Sequence, residues 1–363
     1  MTHSRNYRTL RRLILPALAG GALAALAFAP TFGVEPVQAN VPTQSISAPK
    51  GDAPKADVPK TDVPKADVPR PDDVKTGEIN EPTPHKEANP STFTGTSVIS
   101  ESKTFEHQRF DNTTSNQNSF IGKNKATITI DSSVFDKTGN TTNDDNSNFR
   151  GQNAVVLGIE GSQTSIKDSN ITSNSIGSNA VFATGEGSVI NVENTNIHTK
   201  GDSSRGLDAT YKGTVNGKNL TITTEGAHSA TLATDRGEGT ITAEAAKLTT
   251  SGTGSPVIYS TGNITANSIN GVANKSEIGV VEGKNSITLT NSNVTGYHDN
   301  GFMLYQSFSG DAESGIACLK AENNTLTTHG TGAFIYVNNT TAEADLTGNT
   351  ILMPNTTTLV KAA

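Results

Sequence analysis

Cysteine, tryptophan and long apolar runs are scarce in this chain, and each scarcity excludes something. Cys318 is the only cysteine, so the fold is not built on disulfides, which need pairs. With no Trp and 5% aromatic residues, the stacking platforms of a long sugar cleft are hard to build. Hydrophobic residues make up 33% of the 363, little material for a thick core. The net charge of −7 comes without a basic face, against a nucleic-acid binder. His3, His85, His107, His198, His228, His298 and His329 are scattered, none in a metal-spaced pair such as HExxH, and no G-x-S-x-G occurs. No metal or cofactor is expected.

What the chain has instead is threonine, asparagine and glycine: 51 Thr, 35 Asn and 34 Gly. All three are poor helix formers, which argues against a bundle. A chain so poor in apolar residues can fold by stacking thin layers, each burying a narrow stripe against its neighbours, so repeats are the first thing to seek.

The first 39 residues have another character. Arg5, Arg8, Arg11 and Arg12 precede an apolar stretch, Leu13 to Ala29, and Val37-Gln38-Ala39 supplies small residues for cleavage between Ala39 and Asn40. This predicts an export signal over 1–39. The Arg11-Arg12 pair hints at twin-arginine export, although its flanking residues fit poorly. Removing four Arg and one Glu leaves a mature charge near −10. Residues 40–92 then form a Pro/Lys/Asp-rich stretch, with Pro54, Pro59, Pro64 and Pro69 at five-residue steps in DAPKADVPKTDVPKADVPRPDDVK. Regular proline favours an extended polyproline form and offers no core, so a disordered, semi-rigid stalk is expected.

From about residue 93 to 363 short β-prone runs alternate with Gly, Asn, Asp and Ser turns. Glu160-Gly161, Glu186-Gly187, Lys212-Gly213 and Glu238-Gly239 stand at steps of 26 residues, and Ala154-Val155, Ala180-Val181 and Gly206-Leu207 keep that step. Within one residue, so do Ile171, Ile197, Ile222 and Leu248, with Val294, Leu326 and Ile351 as further rungs. Apolar residues also recur five apart, as Ile130/Phe135, Ile166/Ile171, Val192/Ile197, Leu289/Val294 and Leu346/Ile351. This reads as strand, sharp bend, strand, both apolar residues facing one interior. A 26-residue step suits one coil of a parallel β-helix with three short strands; a β-sandwich has no reason to return one residue class at a constant step. The four glycines are expected at bends of positive φ, Lys212 is expected to relieve the stacked Glu186 and Glu238, and about nine coils fit between residues 120 and 360. Cys318, in the run Gly315-Ile316-Ala317-Cys318-Leu319, is expected in the core.

For chemistry, Asp144-Asp145 is the one adjacent Asp pair outside the stalk. It lacks a nearby basic partner and EF-hand spacing, so a solvated loop is expected. For binding, three late strands are alike: Pro256-Val257-Ile258-Tyr259, Phe302-Met303-Leu304-Tyr305 and Ala333-Phe334-Ile335-Tyr336. If Ile258, Leu304 and Ile335 face inward, Tyr259, Met303, Tyr305, Phe334 and Tyr336 form an outer ridge that a partner can bind. Two other arrangements fit: the tyrosines stack inward, or a loop such as 306–315 covers them.

At SPVIYSTGNITA, VVEGKNSITLTNSNVTG, NGFMLYQSFSGDAESG and GAFIYVNNTTAEADLTGNTIL the chain resembles large bacterial surface proteins with pectate-lyase-like right-handed β-helices, the autotransporter passengers and adhesin-like repeat proteins among them. The resemblance covers about residues 120–363 and rests on repeat texture. It implies an all-β fold, a right-handed parallel β-helix. It also implies an exported, secreted or cell-surface rod, adhesive and without catalysis, whose partner is a host or bacterial surface component, protein or glycan. The alternative is a secreted polysaccharide-binding or polysaccharide-degrading β-helix enzyme. The chain ends at Leu359-Val360-Lys361-Ala362-Ala363 without an outer-membrane barrel or sorting signal. A truncated passenger is therefore expected, associated with a membrane only through another protein or a missing C-terminal region.

Overall fold

The computed structural model describes residues 88–363 and, for the backbone alone, 4–7 and 10–15. The expected cleavage site at Ala39 and Asn40 and the proline repeat lie outside the described residues. From Gly95 onward the chain winds into a parallel β-solenoid of three sheets, eleven strands deep in the first and ten in the other two. One coil runs through Val181–Thr184 in the first sheet, Val189–Glu193 in the second and Asn196–Thr199 in the third. The next coil lays Leu207–Thr210, Thr214–Lys218 and Thr221–Thr224 beside them in parallel register. At the last coil the backbones of Ser4–Tyr7 and Leu10–Leu15 add antiparallel strands.

The columns read from the sequence are columns in space. Phe135, Ile171, Ile197, Ile222, Leu248, Gly271, Val294, Leu326 and Ile351 are successive register partners in the third sheet. Each pair five residues apart is buried on both sides, Ile166 with Ile171 and Leu289 with Val294 for example. The bend between them takes two residues, the first in the left-handed region: Asp168 (φ 48°), Asn194 (49°), Asn219 (53°), Asn291 (52°) and Asn323 (58°). Asparagine and aspartate tolerate that conformation, which is why they recur at this bend. Their side chains also bond from coil to coil, Asn194 Nδ2 to Asp168 Oδ1 at 3.0 Å and Asn219 Nδ2 to Asn194 Oδ1 at 3.1 Å.

Hydroxyls line the return from the third sheet to the first. Thr199 and Thr250 donate to the carbonyls of Ser204 and Ser255 at 2.5 Å, and Thr224 to that of Ser229. The backbone N–H groups of Ser178, Ser204 and Ser229 each donate to the serine hydroxyl one coil on, all at 2.9 Å. Backbone groups that a thin interior leaves unpaired are thus satisfied by short side chains. Near the first coil the interior is filled by Phe105, Phe110, Phe120 and Phe135, Phe110 stacked on Phe135 at 4.8 Å.

Four expectations need correction. Gly161 and Gly187 do take positive φ, 74° and 78°, but at the next two rungs Lys212 (65°) and Glu238 (61°) take it instead. A Cβ on Gly213 or Gly239 would stand 2.3 Å from the carbonyl oxygen of Ala183 or 2.1 Å from that of Ala209, so these glycines exist for close backbone approach. Val181 pairs with Val156, not Val155, a one-residue shift. Cys318 faces outward and half-buried, beside Ser286 and Glu343, because Ala317 and Leu319 take the inward positions of that strand. Asp144-Asp145 opens a short α-helix, Asp144–Arg150, capped by Asn143, whose Oδ1 accepts from Asn146 N at 2.9 Å, and ended by Gly151 at φ 77°. Two acids in a first turn suit the helix dipole.

Candidate functional site

The 26-residue step shortens to 23 from Leu248 to Gly271 and from Gly271 to Val294, and it is lengthened by an insertion twice. Between Phe135 and Ile171 the chain inserts the helix Asp144–Arg150, and between Tyr305 and Ile316 it inserts the loop 306–315. Both insertions lie over the outer face of the first sheet, and beneath them is a cluster of charged and phenolic groups.

The cluster grows from two outward columns. One runs Phe182, Asp208, Ala233, Tyr259, Val280, Met303 and Tyr336 in register. In the other, Glu282 is the register partner of Tyr305, and Asp235 directly follows the outer end of its own strand. Asp208 is 0% exposed, Glu282 2% and Asp235 4%. Arg205 Nη2 stands 2.8 Å from Asp235 Oδ2 and its Nε 3.8 Å from Asp208, while Nη1 donates to Asn148 Oδ1 of the helix at 2.9 Å. The Asp235 contact is close but off the hydrogen-bonding direction, and both Asp208 oxygens lack a hydrogen-bond partner. Burial, and then the neighbouring Asp235, push the Asp208 carboxyl well up, against the pull of Arg205. Burial likewise pushes Asp235 up to about 6, opposed by Arg205. An unpartnered carboxyl that carries a proton avoids the penalty of a buried charge.

The insertions meet at Arg236. Its guanidinium lies 3.5 Å over the Phe149 ring of the helix, and Nε donates to Asp311 of the loop at 2.8 Å. Arg150 stacks on Tyr211 at 3.7 Å. On the loop side, Tyr259 and Tyr305 each donate their hydroxyl to Glu282 Oε2 at 2.8 Å, and the Ser307 hydroxyl donates to Oε1. Burial first, then the Glu282 charge, raise both phenols well above their ordinary range. Lys284 joins Glu238 (2.9 Å) to the loop residue Glu313 (2.6 Å); Glu238 thus meets a cation two coils on, on the side away from its expected neighbour Lys212.

The expected ridge is covered. Ile258, Leu304 and Ile335 face inward, as the ridge requires, but Phe334 is fully buried in the core against Phe302. Tyr305 is 9% and Tyr336 5% exposed, and Tyr259 and Met303 are half-buried. Loop 306–315 covers the strip, one of the arrangements open from the sequence. Tyr305 also stands in register with Glu282 rather than Tyr259, so the five residues do not form one line. Phe308, 71% exposed, projects from the covering loop.

Arg205, Asp208, Asp235 and Arg236 were not singled out in the sequence. The signal was there: Asp208 stands where the preceding coil has Phe182, in otherwise similar strands VFAT and LDAT. Chemically the group sets two carboxyls, both pushed up by burial, beside an arginine, but all lie under cover. In this arrangement they fasten two insertions to the sheet. Among the described residues no set of three or more His, Cys, Asp or Glu is placed to hold a metal.

Among the described residues the second sheet has no cover. Its outward middle column runs Thr129, Ser165, Asn191, Asn216, Thr242, Thr265 and Thr288. Asn216 donates to Asn191 at 2.9 Å, and Thr242 to Asn216 at 2.7 Å. Beside this column runs a shallow groove, floored by Val192, Gly217 and Ala243 and rimmed by Glu193, Lys218 and Glu244. Comparison of the chain with protein-family models, curated proteins and solved structures finds no match in any of the three.

Proposed function

We propose that the chain is an exported surface rod, structural and adhesive, that makes its contacts through its long lateral faces without catalysis. The observation that supports this most is the second sheet: short hydroxyl and amide side chains stay in one outward column from Thr129 to Thr288, through seven successive strands. Such a surface offers regularly spaced donors and acceptors about 4.8 Å apart along the rod, suited to a protein or glycan of a cell surface. The export-type leader and proline-rich spacer read from the sequence fit a rod held away from its cell. The test is saturable retention of the purified protein on host or bacterial cells, weakened by Thr242→Arg with the strand signal in circular dichroism intact. Failure to bind any such surface overturns the reading.

A second reading, a polysaccharide-degrading β-helix, is favoured by one observation: Arg205, Asp208 and Asp235 stand together on the outer face of the first sheet. Turnover of uronic-acid polymers, lost in Asp235→Asn, would establish it. Its reacting groups would first have to be uncovered.

A further inference from the structure

The third outward column of the second sheet alternates in sign from Asp131 to Glu244. In register order it reads Glu106, Asp131, Lys167, Glu193, Lys218, Glu244, Asn267 and Thr290. Within one rod the alternation places opposite charges side by side, Lys218 Nζ lying 3.8 Å from Glu244, and both side chains remain more than half exposed (54% and 56%). An alternating column is also complementary to itself when reversed and shifted by one coil.

We propose that this face is a homodimer interface in which two rods pack antiparallel, second sheet on second sheet. The two-fold axis runs along the strand direction, between the strands that carry Glu193 and Lys218. That axis keeps each column facing its own copy and reverses the order of coils. Glu193 then faces the second copy's Lys218, and Lys167 faces its Glu244. Counted on both copies, this gives four opposite-charge contacts. Asp131 meets Asn267 and Glu106 meets Thr290, so no like charges meet across the overlap.

Neighbouring antiparallel registers are worse. Moving the axis by half a coil sets Glu193 on Glu193 or Lys218 on Lys218. Moving it a full coil one way sets Glu106 on Glu244, and the other way sets Asp131 on Glu322, the next member of the column. The middle column accepts the same register: Asn191 faces Asn216, Ser165 faces Thr242 and Thr129 faces Thr265, each a pair of small groups that can exchange hydrogen bonds. Eight coils of overlap give a face of about 38 Å by about 17 Å. That buries about 1,300 Å² over the two copies, within the size of stable specific interfaces. Because the interface is isologous, it closes at two copies.

The inference deepens the lateral-face reading by naming the partner, a second copy of this chain. Exposed ion pairs are individually weak and screened by salt. The full chain is therefore expected to dimerise in sedimentation velocity at 50 mM salt, with a dissociation constant at least about tenfold higher at 500 mM. Lys218→Glu, which sets Glu193 against a glutamate in two of the four contacts, should leave a folded monomer. The exchange Glu193→Lys with Lys218→Glu should restore the dimer. Ser165→Cys with Thr242→Cys, in a Cys318→Ser background, should be joined between chains by a short bismaleimide that spans the about 10 Å between packed sheets. In one rod these two positions are about 14 Å apart, a longer span than that link. A wild-type monomer at all salt concentrations, or a dimer indifferent to Lys218→Glu, overturns the proposal. Cell retention by a strictly monomeric rod would end the dimer and leave the adhesive reading; a dimer that binds no surface would do the reverse.

Discussion

Arg236 is where two separate insertions depend on one side chain, so its removal has a calculable and local effect. Truncation in Arg236→Ala takes the guanidinium off the Phe149 ring at 3.5 Å and strands Asp311, whose side chain is 22% exposed. Breaking a fully buried pair costs about 3–5 kcal/mol, and the ring contact adds about 0.5–1. Discounting for the partial exposure of both partners leaves about 2 kcal/mol. That cost falls on the closure of loop 306–315, because the inner columns do not involve Arg236. At about 1.4 kcal/mol per decade, opening becomes about 30-fold more frequent. Amide exchange across 306–315 should quicken by that factor, and chymotrypsin should cut sooner after Phe308, while the strands around Ile222 and Leu248 keep their protection. Arg236→Lys should fall between, keeping the charge and losing the planar stack. Unchanged exchange in the loop, or equal acceleration through the whole rod, would refute the idea that Arg236 fastens the cover.

Three further outcomes follow from the geometry. The folded chain holds Asp235 at about 6, above its unfolded value of about 4. The folded state therefore binds the extra proton, and this contribution is full below about pH 4 and lost as pH rises through about 6, roughly 2–3 kcal/mol in all. Melting curves of wild type and Asp235→Asn should diverge in that window, the wild type declining relative to the variant as pH rises; parallel curves would reject the assignment. Gly213→Ala puts a Cβ 2.3 Å from the Ala183 carbonyl oxygen, whereas Gly187→Ala meets nothing closer than 3.7 Å and bears only the left-handed φ. The second should cost about 1 kcal/mol and the first clearly more, measured by denaturant unfolding. Ile222→Ala, between Ile197 and Leu248 at full burial, should cost about 2–4 kcal/mol, and a cost below about 1 would mean the column is not tightly packed.

Much of the architecture was legible because a solenoid writes its register into the sequence. Ile171, Ile197, Ile222 and Leu248 had to recur at nearly one step for each to cover the next, and they pair in that order. The five-residue apolar spacing followed from a two-residue bend. Where the step failed, inference failed with it. The glycine rule held at Gly161 and Gly187 but not at Gly213 and Gly239, where the left-handed residue moved one place earlier. The Asp144 segment reads as a loop in the sequence because seven helical residues leave almost no periodicity.

The sequence by itself determined the coil, its three faces and the polar composition of the outer columns, since each is a property of residues one step apart. Tertiary structure alone decided what covers the first sheet. The helix Asp144–Arg150 and the loop 306–315 come from insertions far apart in sequence, and they meet over Arg236, with Arg205, Asp208, Asp235 and Glu282 beneath. Burial of those charges, the covering of the tyrosine strip and the openness of the second sheet depend on where two excursions land. No repeat period encodes that, because an insertion adds length at one turn without saying which face it will fold back upon.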